Sequence, residues 1–173
     1  MKTMRYRLLL PVLGALLALP VVITGCSDDE GTTNPPAEFT ATDADFASYA
    51  SWTRVAGPII GPDPSGLEGN AHLGNDSTKK REVFVNNASA TRGSNNQWPN
   101  GTIFAKRISD TSGTPLFTIA MAKRGGSFNA KHKGWEWFLI NPTTGAIQQR
   151  GDSLVGGCNG CHEFATNDYV FSK

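Results

Sequence analysis

The sequence CNGCH is the feature that most constrains what this chain can fold into. Cys158 and Cys161 have two residues between them, and His162 follows directly. Three kinds of site use such a cysteine pair: a redox-active disulfide, one half of a zinc site, and the attachment point of a c-type haem. Each of them requires a different protein environment around the pair.

The other residues of the chain favour the covalent haem. A CxxC redox pair usually lies in a thioredoxin-like βαβ unit, whereas this pair follows a series of predicted antiparallel strands. Zinc needs two further ligands, and His72 and His132 show no paired spacing. In a c-type haem, two thiols bind one porphyrin and the next histidine binds the iron. We therefore predict haem c bound by Cys158, Cys161 and His162.

The first 26 residues are typical of an exported lipoprotein. Basic residues at positions 2, 5 and 7 precede an apolar run over 8–23, as in a secretory signal peptide. The following ITGC resembles the lipobox of bacterial lipoproteins, which implies cleavage before Cys26 and lipid on its sulfur. We expect the mature protein to be held on a membrane of the bacterial cell envelope by this lipid and to face the periplasm.

These features predict three segments and limit the partners. A signal peptide covers residues 1–25, a flexible spacer covers 26–38, and a haem domain covers 39–173. Removal of the signal peptide takes three of the sixteen basic residues and leaves thirteen against fifteen acidic ones. With no basic patch, nucleic acid is not an expected partner. Lipidation of Cys26 would leave Cys158 and Cys161 as the two remaining cysteines, in an oxidising compartment. We therefore expect these two to act as a pair.

The residue pattern predicts an α+β fold, mainly an antiparallel sheet of four to five strands with flanking short helices and the CxxCH segment after it. Residues 42–52 have a capping pattern and helical spacing. Residues 57–75 are rich in Gly and Pro, which predicts a long loop. Alternating, β-branched and aromatic residues predict strands at 81–86, 101–108, 116–122 and 134–140, with a weaker one at 146–150.

The order of these segments resembles the cytochrome P-460 family and its cytochrome c′-beta relatives. The resemblance covers about residues 39–173 and is carried by FASYASW, VFVNNASA, WPNGTIFAKRI, FTIAMAKRGGSFN, GWEWFLI and CNGCHEFATNDYVF. It implies an antiparallel sheet with flanking helices, and a homodimer. It also implies thioether bonds at Cys158 and Cys161 and His162 as the proximal iron ligand. Lys106 matches the lysine that is cross-linked to the haem in hydroxylamine-oxidising members.

The resemblance is less complete on the other side of the iron. The hydroxylamine oxidisers carry a distal carboxylate on the strand that matches LFTIAMAKR, where this chain has Ile119 or apolar neighbours. Glu136 or Glu163 would have to fold into the pocket to replace that general base. We expect an open or weakly filled sixth position, lined by Phe117, Ile119, Met121 or Phe138. Met121 is expected to be a core residue rather than an iron ligand, and His72 a sixth ligand only if its loop folds over the haem.

Two classes of function follow, and the sequence does not decide between them or identify a catalytic residue. The first is electron transfer with a redox partner protein, or oxidation of small nitrogen compounds such as hydroxylamine. The second is a non-enzymatic haem protein that binds nitric oxide, as the cytochrome c′-beta relatives imply. A more remote alternative is a structural lipoprotein in which Cys158 and Cys161 form a disulfide.

Overall fold

A computed structural model describes residues 37–172 of this protein, except 65, 67 and 156. The predicted signal peptide, the lipidation of Cys26 and most of the spacer lie outside these residues. Within the described part of the chain, no helix combines the length and the apolar character needed to cross a membrane.

Six antiparallel strands form one sheet in which each strand pairs with its neighbours in the sequence. The strands are β1 (Thr53–Ile60), β2 (Lys79–Val85), β3 (Ile103–Asp110), β4 (Pro115–Lys123), β5 (Trp135–Ile140) and β6 (Ile147–Gly151). The described helices are short: α1 (Asp43–Phe46), α2 (Cys158–His162) and single 3-10 turns. The prediction of a mainly antiparallel sheet with short helices is confirmed.

The predicted number of strands is wrong, because β1 was assigned partly to a loop. β1 contains Gly57 and Pro58, and its register with β2 shifts on both sides of Ala56. An edge strand tolerates proline and bulges because one side of it makes no ladder hydrogen bonds. Gly57 has a φ of +84°, and a Cβ there would lie 2.3 Å from the carbonyl oxygen of Arg81. The Gly-Pro pair therefore marks an irregular edge strand.

The predicted helix over 42–52 is shorter in the structure and consists of α1 and the 3-10 turn Tyr49–Ser51. The Asp45 carboxylate accepts a hydrogen bond of 2.7 Å from the backbone nitrogen of Thr42 and so closes the first turn. Phe46 and Tyr49 are buried against one face of the sheet. This segment covers the centre of that face.

We call this side of the sheet the closed face. Its buried side chains come from alternate positions of the four central strands, as expected for strands with one side in the core. They include Phe84, Ile103, Ala105, Ala120, Ala122, Phe138 and Ile140.

The opposite side, which we call the cavity face, is covered by residues 157–172 and by the segment around Trp98. One half of it is packed solid by a cluster that includes Val85, Phe104, Met121, Trp135, Trp137, Tyr169 and Val170. At the edge of this cluster Lys123 and Asp168 form a buried ion pair of 2.9 Å. Asp168 also accepts a hydrogen bond of 2.9 Å from the backbone nitrogen of Trp98. The other half of the cavity face is not filled.

Candidate functional site

A cavity of about 1060 Å³ lies between the cavity face, α2 and residues 61–74. Its volume is at the upper end of the range of about 300–1,000 Å³ that is usual for ligand pockets. Its lining is mostly apolar, and β2 to β5 form one wall of it. The strand residues that line it include Val83, Phe104, Phe117, Ile119, Met121 and Leu139.

Helix α2 places the two cysteine thiols at this cavity. Gly157 precedes the helix with a φ of +77°, a left-handed conformation that glycine adopts without strain. Cys158 and Cys161 are three residues apart in the helix, so their side chains lie on the same side of it. Both thiols are free and both line the cavity. Burial raises the pKa of the half-buried Cys158.

His162 follows on the same helix, and a hydrogen bond fixes the orientation of its ring. Nδ1 of His162 donates a hydrogen bond of 2.7 Å to the carbonyl oxygen of Tyr169. The ring also packs against Trp137 and Phe171, with centroid distances of 4.7 Å and 5.4 Å. Burial lowers the pKa of His162, and the hydrogen bond to Tyr169 opposes that effect. Nε2 is therefore left with its lone pair free, which is the usual arrangement of a histidine that binds a metal.

Lys106 extends from β3 into the same cavity. Its ammonium group forms an ion pair with the carboxylate of Glu68. Burial lowers the pKa of Lys106 to about 8, although the charge of Asp63 opposes the shift. The side chain is thus mostly buried at the cavity rather than solvated.

The structure brings three of the four predicted apolar residues to the cavity and excludes the fourth. Phe117, Ile119 and Met121 line it, whereas Phe138 is fully buried on the closed face. Phe138 alternates with Trp137 and Leu139 along β5, so it points away from them. Its assignment to the pocket was wrong.

The two glutamates considered as substitutes for a distal carboxylate also lie elsewhere. Glu136 belongs to the closed side of β5, where Arg150 donates to it at 2.7 Å. Glu163 is exposed and does not line the cavity.

The residues that sequence reasoning missed are Asp63 and Glu68, from the segment after β1, and Arg81 from β2. All three line the cavity. Arg81 is only 1% exposed, and it donates a hydrogen bond of 3.0 Å to the carbonyl of Leu73 and another to the carbonyl of Gly61. The segment between Gly61 and Gly74 has no periodic pattern that could have revealed this placement.

His72 also lies in this segment and lines the cavity opposite α2. Its ring centroid is 6.3 Å from that of His162. Burial lowers the pKa of His72 to about 4, and the nearby His162 contributes in the same direction. The imidazole is therefore uncharged at neutral pH.

A family model described as Cytochrome P460 matches residues 48–172, which is most of the chain and nearly all of its described part. The chain belongs to the cytochrome P460 family. Searches of curated proteins and of solved structures find no match. Membership of the cytochrome P460 family implies a haem cofactor.

The residues at the cavity fit such a group. Two thiols and a free imidazole nitrogen converge on a large apolar space, which is the donor set that attached haem requires. Two buried polar atoms at one end, Glu68 Oε2 and Arg81 Nε, have no hydrogen-bond partner among the described residues, although they form an ion pair at 3.3 Å. A bound group with polar substituents would complete their hydrogen bonding.

Proposed function

We propose that this member of the cytochrome P460 family is a monohaem c-type cytochrome that transfers electrons in the bacterial cell envelope. The observation that supports the proposal best is the convergence of Cys158, Cys161 and the free Nε2 of His162 on one apolar cavity. In this proposal Cys158 and Cys161 would hold the haem covalently through their thiols, and His162 would bind its iron. The bound haem would supply one-electron redox chemistry.

The surrounding residues would tune that chemistry. The hydrogen bond from His162 to the Tyr169 carbonyl holds the ring in one orientation and increases its basicity as a ligand. Trp137 and Phe171 restrict rotation of the same ring. The apolar side chains of β3 and β4 exclude water and lower the local dielectric constant, and both factors help to set a haem potential.

The proposal also covers the location and the partners. The lipobox-like ITGC supports a lipid anchor on Cys26, with the polar spacer after it holding the haem domain on the periplasmic side of a membrane. A redox partner protein would then meet the domain at that surface. We keep the homodimer implied by the family resemblance as part of the proposal.

A second candidate function is chemistry on small nitrogen compounds such as hydroxylamine. It is supported by Lys106, which lines the cavity that would hold the haem. Asp63 and Glu68 also line the cavity and would supply the carboxylate that β4 lacks. If the protein does not act on such compounds, the apolar side chains of Phe117, Ile119 and Met121 would suit a non-enzymatic haem protein that binds nitric oxide.

The test uses the full chain, expressed in a bacterial host that attaches haem c. We expect wild-type protein in the membrane fraction to give a pyridine haemochrome spectrum and to retain haem on a denaturing gel. Cys158→Ser/Cys161→Ser is expected to lose all covalent haem and to stay in the membrane fraction. Cys26→Ser is the matched control, because it should release a soluble protein that keeps its haem.

Two results would contradict the proposal. A wild-type protein without haem, with a disulfide between Cys158 and Cys161, would leave the structural lipoprotein as the better interpretation. A spectrum that changes on addition of hydroxylamine, with turnover that Glu68→Gln abolishes, would favour the second candidate over electron transfer.

A further inference from the structure

We propose that His72 is the second axial ligand of the iron, so that the haem is held between two histidines, His72 and His162. This inference rests on the proposed function and deepens it, because it assigns the coordination of the same site.

The first observation is the separation of the two rings. Two imidazoles on opposite sides of one metal ion have their centroids roughly 6 Å apart, because each metal–nitrogen bond is about 2.0–2.1 Å and the ring radius adds about 1.2 Å on either side. The His72 and His162 centroids are 6.3 Å apart. Their planes are inclined by 42°, which is compatible with this arrangement because coordination does not fix rotation about the metal–nitrogen axis.

The second observation concerns the ring nitrogens. Nδ1 of His162 is used by the Tyr169 carbonyl, and Nδ1 of His132 lies 3.1 Å from the Tyr169 hydroxyl. Neither nitrogen of His72 makes a hydrogen bond to any other residue that the structure describes. Neutral imidazole is the commonest metal ligand in proteins, so a histidine that lines a cavity with both nitrogens available is suited to bind a metal ion there.

The third observation is that the segment is held in an unusual conformation. His72 and Leu73 both have positive φ values, 51° and 55°, which are uncommon for residues other than glycine. The buried Arg81 binds the carbonyl of Leu73 and that of Gly61, and so fixes the segment on both sides of His72. Left-handed backbone that persists under such constraint is typical of functional sites.

Competing side chains in the cavity are already engaged. The ammonium group of Lys106 is paired with Glu68. Met121 is only 6% exposed and packs in the cluster of Phe104 and Trp137. With His72 in the sixth position, carbon monoxide, nitric oxide and hydroxylamine would reach the iron only after His72 had left it. The iron would then be suited to electron transfer rather than to chemistry on a bound small molecule.

The experiment uses purified, haem-loaded protein and compares wild type, His72→Ala and the matched control His132→Ala. Absorption and electron paramagnetic resonance spectra of the ferric form report the spin state, and carbon monoxide is then added to the ferrous form. We expect wild type and His132→Ala to be low-spin and unchanged by carbon monoxide. His72→Ala should convert completely to high spin and bind carbon monoxide, and added imidazole should restore the low-spin spectrum.

Either of two results would overturn the inference. One is a wild-type protein that is high-spin or binds carbon monoxide directly. The other is a His72→Ala protein that stays low-spin without added imidazole. If His72→Ala does not fold, the wild-type spin state and its response to carbon monoxide still decide the question. Absence of a pyridine haemochrome in the wild type would instead refute the proposed function, so the two failures can be told apart.

Discussion

The two faces of the sheet use the same strands for opposite purposes. On the closed face, α1 and the turn after it cover the central strands, and Phe46 packs on Phe138 with a centroid distance of 5.0 Å. On the cavity face, α2 and the segment around His72 stand away from the strands and leave about 1060 Å³. Since successive residues of a strand point to opposite faces, the chain can vary one face without repacking the other.

This comparison indicates where stability and function are separated. The closed face has the dense packing of an ordinary protein core, in which loss of a side chain leaves a hole that the structure cannot fill. The cavity face has room that a cofactor of the kind implied by the family would occupy. Changes on the closed face should therefore affect unfolding, and changes on the cavity face should affect the haem spectrum.

The largest effect on the closed face is expected from Phe138→Ala. This ring is fully buried, and its removal should lower the free energy of unfolding by about 3–5 kcal/mol. Urea denaturation measures the loss, and the absorption spectrum should be unchanged. The matched variant is Leu139→Ala on the cavity face, which should shift the spectrum and cost much less stability. A spectral shift in Phe138→Ala, or a comparable loss of stability in Leu139→Ala, would show that the two faces are not independent.

The next largest effect tests the packed half of the cavity face. Burial lowers the pKa of Lys123, and its hydrogen bond to Asp168 opposes the shift. Asp168→Asn should lower the free energy of unfolding by about 3 kcal/mol. This value is near the lower end of the range for breaking a buried ion pair, because the amide oxygen of Asn can still accept the hydrogen bond from the backbone nitrogen of Trp98.

The double variant Lys123→Met/Asp168→Asn is the control for this ion pair. It should recover much of the stability, because it removes the unpaired buried ammonium group and keeps an amide oxygen that accepts from Trp98. Thermal unfolding of the single and double variants measures both effects. A double variant less stable than Asp168→Asn would show that the charges themselves are required.

A smaller effect is expected from Tyr49→Phe on the closed face. The Tyr49 hydroxyl donates to the Pro142 carbonyl at 2.7 Å and lies 2.9 Å from Thr118 Oγ1. Loss of these two hydrogen bonds should cost about 1–2 kcal/mol and leave the haem spectrum as it is. Chemical denaturation monitored by tryptophan fluorescence provides the value, and a change in the Soret band would argue against separate faces.

The smallest effect is a dependence on pH at the edge of the closed face. Burial alone would raise the pKa of Glu82, but hydrogen bonds from Arg107 and Arg54 outweigh it and lower the pKa below 4.5. Glu82 thus contributes stability above pH 4.5 that is lost as the pH falls through its folded value. Its partners Arg54, Lys80 and Arg107 are partly exposed and therefore screened by solvent, so Glu82→Gln should lower the free energy of unfolding by at most about 1 kcal/mol at pH 7. This loss should become smaller as the pH falls below 4.5. If the difference in urea midpoint between wild type and Glu82→Gln does not change with pH, this prediction is contradicted.

Much of the sheet could be predicted from the sequence because its signals are local. The strand at 134–140 alternates large apolar residues, and the turn before it carries Gly134, so β5 was placed to within one residue. β1 was missed because Gly and Pro, here Gly57 and Pro58, are typical of loops. They are compatible with a strand only when that strand lies at the edge of a sheet. The edge position depends on pairing with β2, which is a tertiary property.

The candidate site was predictable only where residues are close in sequence. CNGCH forms a single short helix, so Cys158, Cys161 and His162, which are close in sequence, also lie together at one cavity. Phe138 was misassigned because which face of β5 lines the cavity depends on what covers the sheet. The position of His72 depends on the buried Arg81, which follows it in sequence and holds its segment through backbone carbonyls.

The sequential order of the strands also affects how the protein is assembled. Each strand pairs with the next one along the chain, so no strand has to find a partner from a distant part of the sequence. Contact order is correspondingly low for a β-sheet, and such topologies fold faster than those with distant pairings. The sheet can therefore be complete before residues 157–172 settle on it. Under the proposed function, cysteines in that last segment would still be accessible to the enzymes that attach haem.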